Sequence, residues 1–116
     1  MNEADRNALA VVAGSPEEHA LAAALLEDRR LRILRLLHAA PAFVANDSVL
    51  RTALEGLGHV VSADRLRSDL AWLADTGLLA LAVREGLTVS TLRDRGATAA
   101  LGHASFCGVA RPCPIS

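Results

Sequence analysis

Ser62-Ala63-Asp64-Arg65-Leu66-Arg67-Ser68-Asp69-Leu70-Ala71-Trp72-Leu73-Ala74-Asp75-Thr76-Gly77-Leu78-Leu79 is the stretch whose reading decides the fold. Ser62 suits a helix N-cap, and Leu66, Leu70 and Leu73 recur behind it at the spacing of one helical face. Gly77 fits the left-handed residue that ends a helix. Two short apolar runs follow, Leu78 to Val83 and Leu87 to Leu92, with Arg84-Glu85-Gly86 between them. They predict a two-stranded β-hairpin with its glycine in the turn.

Upstream, Asn46 or Asp47 caps a short helix reaching about Leu57, with Val49, Leu50, Ala53, Leu54 and Leu57 expected to face inward. Gly58 ends it, and His59-Val60-Val61 forms a turn short enough to cross the two flanking helices. Before the loop Pro41-Ala42-Phe43-Val44-Ala45, the segment Ser15-Pro16-Glu17-Glu18 has the form of a capping box with proline in the first turn. A long helix from Pro16 to His38 or Ala39 follows from it, stopped by Pro41. A closing helix is expected from about Arg93 to His103.

Long helix, short helix, tight turn, second short helix, hairpin and closing helix make a mainly α (α+β) chain with the order of a winged helix-turn-helix. The expected organisation is an N-terminal lead over residues 1–14, the domain over 15–103, and an irregular tail over 104–116. The 116 residues fit one domain, and a hydrophobic fraction of 52% with 22% charged residues is that of a folded protein. Aromatics make up only 3%, so the core must be built from Leu, Ala, Val and Ile.

Three segments also resemble a known group: Leu31-Arg32-Ile33-Leu34-Arg35-Leu36-Leu37, the stretch from Val61 to Leu79, and Thr91-Leu92-Arg93-Asp94-Arg95-Gly96. Together they look like a family of small proteins of Mu-like phages and prophages, and are similar to the wider ArsR-like and MarR-like winged-helix regulators. The resemblance spans roughly residues 27–114 and implies a winged-helix fold within a phage or prophage gene set. It does not carry over the metal-sensing residues of the ArsR-like proteins, because no matching cysteine pair lies in the recognition region.

A winged helix of this kind is expected to bind double-stranded DNA through the helix that starts at Ser62. With Leu66, Leu70 and Leu73 inward, its outward line is Asp64, Ser68, Ala71 and Asp75, flanked by Arg65 and Arg67. On that reading Arg65 and Ser68 meet bases, Arg51 and Arg67 meet phosphates, Ser62 starts the helix against the groove, and Arg84 at the hairpin tip reaches the backbone as a wing does. The alternative is a protein–protein interaction module, in which Asp64, Arg65, Arg67, Asp69 and Asp75 form a solvated face laced with ion pairs. Charge counts against the DNA reading: residues 46–103 carry six arginines and seven acids, and the whole chain has a formal charge of −1, so nothing in the balance attracts a polyanion. All twelve cations are arginines, and no lysine is present.

The apolar residues of the long helix occupy several sides, which predicts a homodimer with Leu21, Leu25 and Leu36 at the interface. Trp72 flanks the apolar stripe and is expected to pack on the hairpin or the first helix. His103, Cys107 and Cys113 fall short of the four ligands that a structural zinc site requires, so neither metal nor cofactor is expected. Phosphate-loop, dinucleotide, HExxH and nucleophile-elbow motifs are missing, and without lysine or tyrosine two common sources of catalytic groups are gone. An enzyme is not expected, nor is a membrane span or a small-molecule substrate. The opening Met1-Asn2-Glu3-Ala4-Asp5-Arg6 lacks the basic-then-apolar form of a signal peptide, so a cytoplasmic protein of the bacterial host is expected.

Overall fold

The structure, a computed structural model, describes residues 14–111. The expected lead therefore lies almost wholly outside the described residues, as does Cys113. Helix α1 spans Pro16–Ala39, α2 Asp47–Gly56, α3 Ala63–Asp75 and α4 Asp94–Ala100. Strands β1 (Val44–Asn46), β2 (Leu79–Arg84) and β3 (Leu87–Leu92) form one antiparallel sheet in the order β1-β3-β2. Among the described residues the fold is α+β, with four α-helices around a small sheet.

Local chemistry sets the helix starts. Ser15, Asn46 and Ser62 each stand in extended backbone, and their side-chain oxygens accept from the N–H of Glu18, Val49 and Arg65. Each cap satisfies one of the donors that a helix leaves unpaired at its start. At the far end of α3, Gly77 takes a positive φ of 79°; its N–H donates to the carbonyl of Ala74, and that of Leu78 donates to Leu73. This is the Schellman pattern, and it turns the chain directly into β2.

The core is aliphatic. Leu31, Ile33, Leu34 and Leu37 of α1 meet Leu50 and Leu54 of α2 and Leu66, Leu70 and Leu73 of α3, with Leu78 and Leu79 closing the sheet side. Helix α4 packs on α1 through Ala99 and Ala100. Gly96 is the point of closest approach: a Cβ there would sit 2.0 Å from the Leu78 carbonyl oxygen.

Several expectations change. The hairpin belongs to a three-stranded sheet, because Val44, Ala45 and Asn46, expected as loop and cap, pair with Thr91, Ser90 and Val89. A three-residue strand is too short to show alternation. Val49 and Leu57 are exposed, since a ten-residue helix buries only the i, i+4 pair Leu50 and Leu54. Helix α4 stops at Ala100, where Gly102 and His103 donate back to Ala99 and Thr98. Beyond it the described residues, up to Arg111, have no regular structure, yet Val109 is buried and Ala110 donates to the Glu27 carbonyl, which lays residues 104–110 along α1.

Candidate nucleic-acid interface

The exposed side of α3 is assembled by its cap and its leucines. Because Ser62 fixes the start and Leu66, Leu70 and Leu73 face inward, Asp64, Ser68, Ala71 and Asp75 stand outward with Arg65 and Arg67 beside them. Arg67 is tied to Asp64 one turn back by an exposed ion pair. An exposed pair of this kind contributes little to stability and is readily exchanged for another anion. Arg65 has no ion-pair partner among the described residues. Arg51, on α2, donates through Nε to the Val61 carbonyl at 3.0 Å, which fastens α2 to the turn leading into α3.

The structure thus brings Ser62, Arg65, Arg67 and Ser68 together in the first two turns of α3 and sets Arg51 beside their starting point. Arg84 stands apart. It ends β2, about 17 Å along the strand from the buried Leu79 at the usual rise per residue.

Asp69 does not belong to a solvated face. It is only 2% exposed, and its carboxylate accepts from Arg29 Nε of α1 at 2.5 Å, with Arg30 Nε at 3.8 Å. The correction has a positional cause: residue 69 lies three after Leu66 and four before Leu73, so it is on the buried face whatever its charge. Arg30 in turn lies 3.9 Å over the Trp72 ring and donates to the Gly108 carbonyl at 3.1 Å. Trp72 is therefore packed against the first helix, through a cation–π contact. Burial holds the Arg30 guanidinium below its ordinary pKa, against the pull of Asp69.

A second polar contact anchors the α2–α3 turn. His59 is buried, and its Nε2 lies 2.7 Å from the Asp28 carboxylate, which Arg32 also approaches at 3.5 Å. Burial alone would raise the Asp28 pKa, but the His59 hydrogen bond and the charge of Arg32 outweigh it and hold the carboxyl below its usual range. These positioning residues, Arg29, Asp69, Asp28 and His59, escape a reading based on polarity; the signal for Arg29 and Asp69 is their place on the buried faces of α1 and α3.

Of the residues expected at a dimer interface, Leu21 and Leu25 are 61% and 45% exposed, whereas Leu36 is half-buried against the core of its own chain. All three lie on one side of α1. Among the described residues that side is covered along the second half of the helix, where the buried residues Arg29 to Leu37 are found. Among the described residues no group of His, Cys, Asp and Glu side chains could hold a metal ion, and no helix is long and apolar enough to cross a membrane.

A protein of Escherichia phage Mu, "Uncharacterized protein gp26", is 43% identical to this chain over 90 residues, covering 78% of the chain and 93% of that protein. The chain belongs to the family of phage Mu gp26. An "Uncharacterized protein" of Haemophilus influenzae is 35% identical to this gp26 relative over 72 residues, 61% of the chain and 70% of the Haemophilus protein. No family model matches the chain, and no solved structure matches it.

Proposed function

We propose that this gp26 relative is a winged-helix DNA-binding protein and acts as a transcriptional regulator of a phage or prophage. Its element order, helix, strand, helix, helix, strand, strand, supports the winged-helix reading, with β1 joining β3 to form the sheet behind the hairpin. The observation that carries the DNA reading is the withdrawal of the Asp69 charge. Arg29, from another element, neutralises that carboxylate inside the protein. Residues 46–103 then show six acids at the surface against six arginines, and Arg65 and Ser68 stand exposed on the first two turns of α3. An arginine at such a place can grip a guanine edge through two hydrogen bonds, and each such contact contributes about 1–3 kcal/mol of discrimination.

The test is fluorescence polarisation on duplexes from the DNA flanking the protein's own gene, at low and moderate salt. Binding that weakens with salt is expected, together with its loss in Arg65→Ala at an unchanged melting temperature. Leu70→Ala is the structural control, since emptying that fully buried position costs about 2–5 kcal/mol whatever the function. If no duplex binds even at low salt, the reading fails. A protein-interaction module then takes its place, the reading favoured by the exposed Val49 and Val60, the latter 78% exposed, beside α3.

A further inference from the structure

Strand β2 is an edge whose residues before the closing Arg84 do nothing to protect it. Among the described residues it pairs only with β3, and over Leu79-Ala80-Leu81-Ala82-Val83 it carries no charge and no proline. Edge strands are ordinarily blunted by such residues, because their unpaired N–H and C=O groups accept another strand. A half-covered antiparallel strand is also expected to alternate apolar and polar side chains. Here both faces are apolar, with Leu79, Leu81 and Val83 on one and Ala80 and Ala82 on the other, and Val83 is 75% exposed.

We propose that β2 is the docking edge for a second copy of this chain, added antiparallel across a two-fold axis at Leu81. The register follows from the hydrogen bonds. Arg93 N–H donates to the Leu78 carbonyl, so Leu78 and Arg93 form a bonded pair, and by alternation Ala80, Ala82 and Arg84 bond to β3. Leu79, Leu81 and Val83 therefore turn their N–H and C=O groups to the open edge. A two-fold axis normal to the sheet through Leu81 sets Leu81 opposite its own copy and Leu79 opposite the second copy's Val83. All the outward groups of these three residues are then satisfied. Centring on Ala82 instead pushes Leu79 opposite the turn residue Glu85 and loses one of the three pairs.

The charges agree with this register. At the tip of the hairpin stand Arg84 and Glu85; at its base lie the end of α3 with the exposed Asp75, and a hollow of about 320 Å³ lined by Gly77, Arg93, Asp94 and Arg95. Antiparallel pairing brings each tip to the other copy's base. Arg84 falls opposite Leu78, next to Asp75 and the negative end of the α3 dipole. Glu85 falls opposite Gly77, where the Arg95 guanidinium lies 3.1 Å from the position a Cβ would take. Arg95 at the base thus receives an acid, and the tip cation Arg84 receives the acid Asp75 and a helix C-terminus. The product is a six-stranded sheet in which Leu81 and Val83 of each copy extend the side that Leu79 already buries. The contact is small, at the low end of specific interfaces, and implies association at micromolar concentration. It assigns Arg84 to the second copy instead of the DNA backbone, and it stands independently of the DNA-binding reading.

Light scattering and sedimentation velocity on the full chain, from about 1 μM to about 1 mM, test it. The mass should rise from 12.2 kDa toward twice that value. Val83→Lys, at a position already three-quarters exposed, and Glu85→Arg, which sets like charge against Arg93 and Arg95, should each weaken association at least tenfold. The melting temperature of the dilute protein should not change in either. Leu21→Asp, at an exposed position on the first half of α1, should leave association intact. A wild-type chain that stays monomeric throughout overturns the proposal. So does a dimer that survives both hairpin substitutions, or one that Leu21→Asp abolishes.

Discussion

Replacing Asp69 with Asn keeps the shape of the side chain and removes its charge from a place almost closed to water. Arg29 is 7% exposed and donates to that carboxylate at 2.5 Å, and Arg30, 3.8 Å away, draws on the same charge. Removing one partner of a buried pair leaves the other charge uncompensated, at a cost of about 3–5 kcal/mol. A domain of this size has a total stability on the order of 5–15 kcal/mol, so the loss is a large fraction of it. With a urea dependence of about 1–3 kcal/mol per molar, the unfolding midpoint should fall by roughly 2 M. The double variant Arg29→Met/Asp69→Leu should recover most of that fall, because well-packed apolar side chains replace a buried ion pair at little or no cost. Arg30 keeps its stacking on Trp72 and its bond to the Gly108 carbonyl in both proteins. A cost below about 1 kcal/mol for Asp69→Asn, the value of a solvated pair, would refute the reasoning, as would a double variant no better than the single one.

Two further perturbations bear on the fold. Gly96→Ala should destabilise by about 1–3 kcal/mol, since its Cβ meets the Leu78 carbonyl oxygen and a Leu92 methyl and the backbones must part; a melting temperature that rises, as helix propensity alone predicts, would show that α4 yields without cost. The Asp28 carboxyl, held below its ordinary 3.8, contributes stability that is fully present above that value and is lost as pH falls through the depressed folded value. In Asp28→Asn the urea midpoint should therefore change less with pH on the acid side of 3.8 than in the wild type, and equal slopes would remove the His59–Asp28 contact from the account.

The helices were legible because their determinants are local. Ser15 and Ser62 each announce a start within three residues, the pair Asn46-Asp47 does so to within one position, and Leu66, Leu70 and Leu73 show a face on their own. Strand β1 was not legible, because Ala45 becomes a strand residue only through Ser90, which lies 45 positions away in sequence and beside it in the sheet. No window along the chain contains that pairing. The outward line of α3 was readable in full, yet Asp69 was misplaced, since a carboxylate on the buried face is favourable only if another element supplies a cation. Arg29 supplies it from α1.

That exchange links the fold to the candidate interface. Arg29 and Asp28 are neighbours on α1; the first withdraws an acid from α3, and the second fixes the turn that starts α3 through His59. One turn of a single helix thus sets both the charge that α3 presents and the point at which it begins. Arg65 and Ser68 owe their company to those contacts as much as to their own spacing. A change confined to α1, Asp69's partner Arg29 above all, should therefore alter the behaviour of α3 without touching its surface. Arg29→Met alone leaves the Asp69 carboxylate with only Arg30 at 3.8 Å, and the cheapest relief is to turn that carboxylate toward water at the edge of α3. If the DNA reading holds, that variant should lose affinity for every duplex alike, because an exposed acid repels the phosphates whatever the sequence. Equal affinity in Arg29→Met and wild type, measured below the melting temperature of both, would separate the buried pair from the interface.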